Sequence, residues 1–285
     1  MRGHKHTVAG IEAAIWDAFA KSNDMRLADC FAVFSGLDHT PHDSAVVGVS
    51  IGIQPTVDDT IAIIQKRLAQ GYERIKLKIK RGWDIELAQG VRNALPDITL
   101  MLDANSDYQL DDAKRLKQLD SFDLLMIEQP LAHDDIYQHS QLQNQIKTPI
   151  CLDESIHSMS DLQVAFSLGA LKILNLKPAR VGGFTESLAM YRYCVMHDIN
   201  LWIGGMLETG VGRAANIAFA SLPGVTLPCD ISATDRYFEQ DVAEPHFILK
   251  RGSRLEVPRG NGIGVAINQE YLANYEAVWH EINPF

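Results

Sequence analysis

The chain reads as an α/β protein closed into a (β/α) barrel, and three observations carry that reading. Short, near-continuously apolar runs alternate with amphipathic helical segments from Ser44 to about residue 230, the pattern of a parallel sheet covered by helices. Three of these runs end in a carboxylate at steps of 25 residues: Asp103 in TLMLDAN, Glu128 in LLMIEQP and Asp153 in PICLDES. That step is one strand plus one crossover helix, the connection a parallel neighbour requires. The open, doubly wound alternative needs a glycine-rich phosphate turn after an early strand, and the sequence has none.

The elements follow in order. Residues 7–20 (TVAGIEAAIWDAFA) place Val8, Ile11, Ile15 and Phe19 on one helical face with Thr7 as N-cap, so this helix is expected to pack on a partner surface. The strand VVGVSIGI precedes a helix at 57–69, RIKLKIK one at 84–95, and ITLMLD one at 110–119. LLMIEQ precedes 134–145, PICLDE 159–168, LKILNLK 184–197 and INLWIGG 210–221, and VTLPCD closes a series of eight strands and seven helices. The tail from about 240 (FILKRGSRLEVPRGNGIGVAI) has short β-like pieces and Gly/Pro turns that depart from the repeat.

Composition narrows the function classes. With 46% hydrophobic and 22% charged residues, the 285-residue chain is composed like an ordinary globular protein, and a barrel of about 250 residues uses most of it. A net charge of −10, a pI near 5.4 and the lack of a Lys/Arg run argue against a nucleic-acid partner. No apolar run of about 18 residues and no charged-then-apolar leader is present, so no membrane partner is expected; MRGHKH runs straight into a patterned helix and is read as native. Cys30, Cys151, Cys194 and Cys229 lack CxxC spacing and read as buried free thiols, which makes the cytoplasm the expected location.

The chemistry sits at strand ends, which face the catalytic mouth of a barrel. A lone acid there is often only a helix N-cap, but three in equal register aim carboxylates at one point. Hard oxygen donors without Cys or His favour Mg²⁺, with Mn²⁺ as the alternative ion, over zinc or copper. Lys76 and Lys78 in RIKLKIK share one face of their strand and point into the barrel, while Ile75, Leu77 and Ile79 face the helices. Two buried like charges are expected to lower each other's pKa and prepare one as a base. Lys177 closes the sixth strand, held extended by Pro178. Strands two and six face each other across a barrel, so Lys78 and Lys177 approach a substrate from opposite sides. Removing a proton α to a carboxylate leaves a dianionic enediolate that a divalent cation stabilises and water does not, with lysine as the base.

At this point the motifs resemble a known family. KLK at 76–78, DAN at 103–105, IEQP at 127–130, LDES at 152–155, NLKPARVGG at 175–183 and GGMLETGVGRAANIAFASLPG at 204–224 are similar to the enolase superfamily, where a Lys base is paired with Mg²⁺. Within its muconate-lactonizing subgroup they resemble the o-succinylbenzoate synthase/N-acylamino acid racemase family. The resemblance implies a TIM-type (β/α)7β barrel with a truncated α+β capping domain. It implies Asp103, Glu128 and Asp153 as Mg²⁺ ligands, Lys78 and Lys177 as the acid/base pair, and Lys76 as electrostatic support. Asn105 and Glu154 lie beside the ligands. Gly205 and Met206 line the substrate pocket, where their N–H groups meet a carboxylate or simply belong to a tight turn. Dipeptide epimerases carry a DxD motif near the last strands where GGMLETG stands here, which argues against that activity.

The expected domains are a capping-domain remnant at 1–43, the catalytic barrel at 44–239, and a segment at 240–285 that packs on the cap. The chain begins almost at the last helix of that cap. A misassigned start, a natural truncation and a compensating partner subunit are all open, and the first is preferred because intact motifs drift in a functionless remnant. The expected activity is o-succinylbenzoate synthase-type dehydration in menaquinone biosynthesis, acting on a small-molecule carboxylate in a homo-oligomer. N-acylamino acid racemisation is the alternative reaction. A silent metal-binding barrel is the alternative of another class, since a lost lid weakens water exclusion.

Overall fold

Apolar runs without alternation become barrel strands because both faces of a barrel wall are covered. The computed structural model describes residues 3–273; the ends of the two expected terminal segments, 1–2 and 274–285, lie outside the described residues. After the short β1 (Ser44–Val46), the wall is built from β2 (Val49–Ile51), β3 (Arg74–Lys78), β4 (Thr99–Asp103), β5 (Ile127–Glu128), β6 (Ile150–Leu152), β7 (Ile173–Leu176) and β8 (Asn200–Ile203). These seven strands are parallel and lie side by side in chain order. Register sets the site: Lys78 pairs with Asp103 and Asp103 with Glu128, so three charged residues stand abreast at one end.

The eighth expected strand, VTLPCD, does not form a ladder. Pro228 has no N–H to donate, and only isolated bridges join Val47 to Cys229 and Gly204 to Asp230. They still close the barrel, because Gly48 N–H donates to Cys229 O at 2.7 Å and Asp230 N–H to Ile203 O at 2.9 Å.

The crossover helices match the expected ranges within two residues, with one exception. They are α3 (Val57–Ala69), α4 (Ile85–Ala94), α6 (Ile136–Gln143), α7 (Met159–Ser167), α9 (Phe184–Met196) and α10 (Gly210–Ala220). The helix expected at 110–119 is instead a 3₁₀ turn, the single turn α5 (Ala113–Leu116) and a second 3₁₀ stretch. Asp120 in that last stretch accepts from the N–H groups of Lys147 and Thr148, which ties it to the next unit. An additional turn, α8 (Pro178–Val181), follows Lys177 directly.

The first helix differs from expectation at its start and on its face. It is α1 (Lys5–Ser22), preceded by His4 in the left-handed region (φ 53°), so Thr7 lies inside it and caps nothing. Val8, Ile11, Ile15 and Phe19 are 37%, 61%, 63% and 42% exposed, with Phe19 alone of the four in ring contact, edge-on to Phe34 at 5.5 Å. The helix buries Ala9 and Ala20 and packs Ala13 and Trp16 on the core, because small residues let it approach α8 closely. Trp16 meets Phe31 and Phe34 of α2 (Leu27–Ser35) edge-on at 5.3 and 5.1 Å.

The tail supplies β9 (Ala243–Glu244), β10 (Arg254–Glu256), β11 (Ala266–Ile267) and α11 (Gln269–Leu272). β10 pairs antiparallel with β1 and β11 with β9, and Ile263 N–H donates to Asp17 of α1 at 2.8 Å. This stretch therefore packs on β1 and α1. Among the described residues, no helix is long and apolar enough to cross a membrane, and all four cysteines are free and buried.

Candidate active site

The three acids sit where the 25-residue step puts them: Asp103 ends β4, Glu128 ends β5, and Asp153 follows β6. All three are buried, and each is held by a cation or an amide. Lys76 Nζ lies 3.0 Å from Glu128 Oε2, 3.2 Å from Asp103 Oδ2 and 2.8 Å from Asp230 Oδ2, so one ammonium is ion-paired with three carboxylates and donates a hydrogen bond to Glu128. Lys78 Nζ donates to Asp103 Oδ2 and to Asn105 Oδ1, both at 2.6 Å. Asn105 in turn donates to Glu154 Oε1 at 3.0 Å. On the far side Lys177 Nζ donates to Asp153 Oδ2 at 2.8 Å, and Arg180 donates to the other oxygen of the same carboxylate. Asn175, two residues before Lys177, donates to Glu128 Oε1 at 2.6 Å.

Burial and charge set the protonation states, and here the sequence expectation for Lys76 is reversed. Burial opposes its charge, but Asp230, Glu128 and Asp103 together outweigh that and hold its pKa well above the usual lysine value. Lys76 stays an ammonium ion because carboxylates, not Lys78, are its nearest charges. Burial likewise opposes the charge of Asp103, yet Lys76 and Lys78 keep its carboxyl below the ordinary range. Glu128 goes the other way: burial and the neighbouring Asp103 push it up to about 7.

A cavity of about 340 Å³ opens over these groups, and Lys76, Lys78, Lys177, Gly205 and Met206 all line it. Asp230 lines it too, whereas Asp103, Glu128 and Asp153 lie behind their lysine partners. The N–H groups of Gly205 and Met206, expected to meet a substrate carboxylate, are both engaged: Gly205 donates to Asp230 O at 3.2 Å and Met206 to Glu208 Oε2 at 2.6 Å. Gly204 is required for another reason. A Cβ there would lie 2.6 Å from Lys177 Cε and against Asn175 Oδ1. Loop residues beside the site, Asn105 (φ 43°), Gln129 (φ 40°) and Leu207 (φ 60°), adopt left-handed backbone without being glycine, each storing about 1–3 kcal/mol of strain.

Four residues of the site are additional to those singled out from sequence: Asn175, Arg180, Glu208 and Asp230. Asp230 carried a signal, because it ends VTLPCD as the other acids end their strands. As the side chains stand, no group of three His, Cys, Asp or Glu among the described residues is gathered to hold a metal ion. Lys78 and Lys177 occupy oxygens of Asp103 and Asp153. The donor set nevertheless fits a hard divalent cation. Two carboxylates end β4 and β5 and a third follows β6, and burial together with Asp103 drives Glu128 toward its neutral form, a cost that an added cation relieves.

Residues 59–271 match the profile of the family described as enolase C-terminal domain-like. The chain belongs to that family. It is 44% identical to an o-succinylbenzoate synthase of Bacillus subtilis, over 96% of this chain and 71% of the relative. It is 45% identical to an N-succinylamino acid racemase of Thermus thermophilus, over 95% and 71%. The crystal structure of an enolase-superfamily member from Listeria innocua superposes with a TM-score of 0.90 at 44% identity, over 96% of this chain and 72% of that one. The resemblance read from the motifs therefore stands, both for the barrel and for the group of enzymes.

Proposed function

We propose that this enolase-superfamily enzyme removes a proton α to a substrate carboxylate, and that its reaction is the dehydration of the o-succinylbenzoate synthase type, in menaquinone biosynthesis. The observation that carries the reading is the placement of Lys78 and Lys177: they reach one cavity from β3 and from the end of β7, on different carboxylates. Lys78 acts as the base. The C–H electron pair moves into an enediolate, the C–O bond breaks, and the proton on Lys78 leaves with the hydroxyl as water. Lys76, kept charged by its three acids, is an electrostatic support and not a base. Asn105, itself bonded to Glu154, positions Lys78 Nζ.

Asp103, Glu128 and Asp153 are the residues that would hold Mg²⁺. When bound, the ion supplies the positive charge that the dianionic enediolate needs. Binding it requires Lys78 and Lys177 to release Asp103 and Asp153. The same reading takes the partner to be a small-molecule carboxylate and the setting to be a cytoplasmic homo-oligomer.

A second reaction, racemisation of an N-acylamino acid, is favoured by one specific observation. Lys177 lines the cavity with its stem against Gly204, so that once it leaves Asp153 its ammonium reaches the face opposite Lys78. The test is direct. The protein with Mg²⁺ is given 2-succinyl-6-hydroxy-2,4-cyclohexadiene-1-carboxylate and, separately, an N-succinylamino acid. Formation of the aromatic product is expected with the first, and loss of optical rotation with the second supports the racemase reading. Turnover of neither would favour the silent barrel.

A further inference from the structure

We infer that Asp230 is a positioning residue that draws the Lys76 ammonium toward the eighth-strand side and so keeps Asp103 and Glu128 available to a divalent cation. The inference rests on the metal reading above and deepens it. Lys76 is 3% exposed and can neither leave nor lose its charge cheaply. Its position among the acids therefore decides how much negative charge is left for anything else. The shortest of its three contacts is to Asp230, at 2.8 Å against 3.0 and 3.2 Å to Glu128 and Asp103.

Asp230 is itself fixed from beneath. Its other oxygen lies 3.5 Å from Arg74 Nη1, and Arg74 Nη2 donates to Pro228 O at 3.1 Å. The guanidinium fills the space where Gly48 lacks a side chain, so any Cβ there would collide with it. Lys76 and Arg74 both lie over the buried ring of Trp202, at 5.2 and 5.6 Å from its centroid, which limits the positions either cation can take. The main chain of Asp230 is pinned as well, by Ile203 O on one side and Gly205 N–H on the other. A carboxylate anchored this firmly acts as a fixed counter-charge.

Without that counter-charge, the Lys76 ammonium has only Glu128 and Asp103 to satisfy its three N–H bonds, and it neutralises the pair that a cation needs. The experiment is a double-mutant cycle on Mg²⁺ affinity by calorimetry, repeated by Mn²⁺ electron paramagnetic resonance, with no substrate and no turnover. Asp230→Asn keeps the shape and is expected to weaken Mg²⁺ about tenfold. In a Lys76→Met background the same substitution is expected to change affinity less than twofold, because the ammonium it positions is gone. A tenfold loss in both backgrounds would show that Asp230 acts as a simple distant charge, and no loss in either would show that it does nothing for the ion; each result overturns the inference. Near-ultraviolet circular dichroism and thermal melting confirm that each variant is folded, and Asp230→Glu, which retains the charge, is expected to recover part of the affinity. If the unaltered chain binds neither ion, the metal reading itself fails and this inference fails with it, an outcome distinct from binding that ignores Asp230.

Discussion

On the β3–β5 side of the cavity, Lys76 and Lys78 face three carboxylates, Asp103, Glu128 and Asp230, whereas at the end of β7 Lys177 and Arg180 share the single carboxylate of Asp153. Arg74 stands 3.5 Å behind Asp230, so in the first half cations and carboxylates balance, whereas the second has one cation to spare. The first half offers two of the three carboxylates proposed to hold a divalent cation, and the second, with its cation to spare, tolerates an anionic substrate group. Access differs in the same sense: the Lys78 side chain is 32% exposed and that of Lys177 13%. Register explains the contrast. Paired strand ends put Lys78, Asp103 and Glu128 abreast, whereas Arg180 reaches Asp153 from the turn α8, which Pro178 starts immediately after Lys177.

Substitutions that act on one half only are the sharpest way to test the contrast. Lys78→Ala is expected to lower the dehydration kcat about 10³-fold, within the range typical of a lost acid/base group, as followed by the absorbance of the aromatic product. Lys177→Ala is expected to abolish racemisation while leaving dehydration within about tenfold; equal losses in both reactions would mean that the halves do not act separately. Gly204→Ala crowds Lys177 at 2.6 Å and leaves Lys78 untouched, so racemisation should fall about tenfold and dehydration by less than about threefold.

The smallest effect lies behind the acid-rich half. His139 accepts from Leu131 N–H through Nε2 at 3.1 Å and bonds Asp135 O through Nδ1 at 2.6 Å, an arrangement that only the neutral ring permits. Burial lowers its pKa from 6.5, against a weaker pull from Asp135. Its contribution to stability is therefore present above about pH 6.5 and is lost as pH falls through the lowered value. Urea unfolding at pH 7.5 and pH 5 is expected to show His139→Gln with an acid sensitivity about 1 kcal/mol smaller than that of the unaltered chain.

Much of this architecture is legible in the sequence, and the failures have physical causes. Seven strands and six crossover helices follow from apolar period, and the acid ends of β4, β5 and β6 follow from one repeat length. Periodicity marks the apolar stripe of α1 but not its surroundings, so Ile11 and Ile15 were expected to be covered and stand exposed. The elements β1 and α8 are too short to show a period, and α2 (LADCFAVFS) is apolar on most of its faces; they form because other parts of the chain dock on them. Adjacent lysines in RIKLKIK suggest mutual repulsion; the dominant neighbours of Lys76 lie 27, 52 and 154 residues away in the chain and are visible only once the barrel closes. The sharpest loss was Asp230, hidden because Pro228 weakens its strand although its place at the strand end follows the same rule as the other acids.

The central claim is that Lys78 takes the α proton in a site that depends on a divalent cation. Nuclear magnetic resonance of an N-succinylamino acid incubated with the protein and Mg²⁺ in D₂O measures that step alone. Loss of the α-proton signal of both enantiomers is expected with the unaltered chain, no loss with Lys78→Ala for the enantiomer whose α proton faces Lys78, and no loss for either in the unaltered chain after chelation of the metal. Exchange that persists in Lys78→Ala for both enantiomers, or that survives chelation, would contradict it.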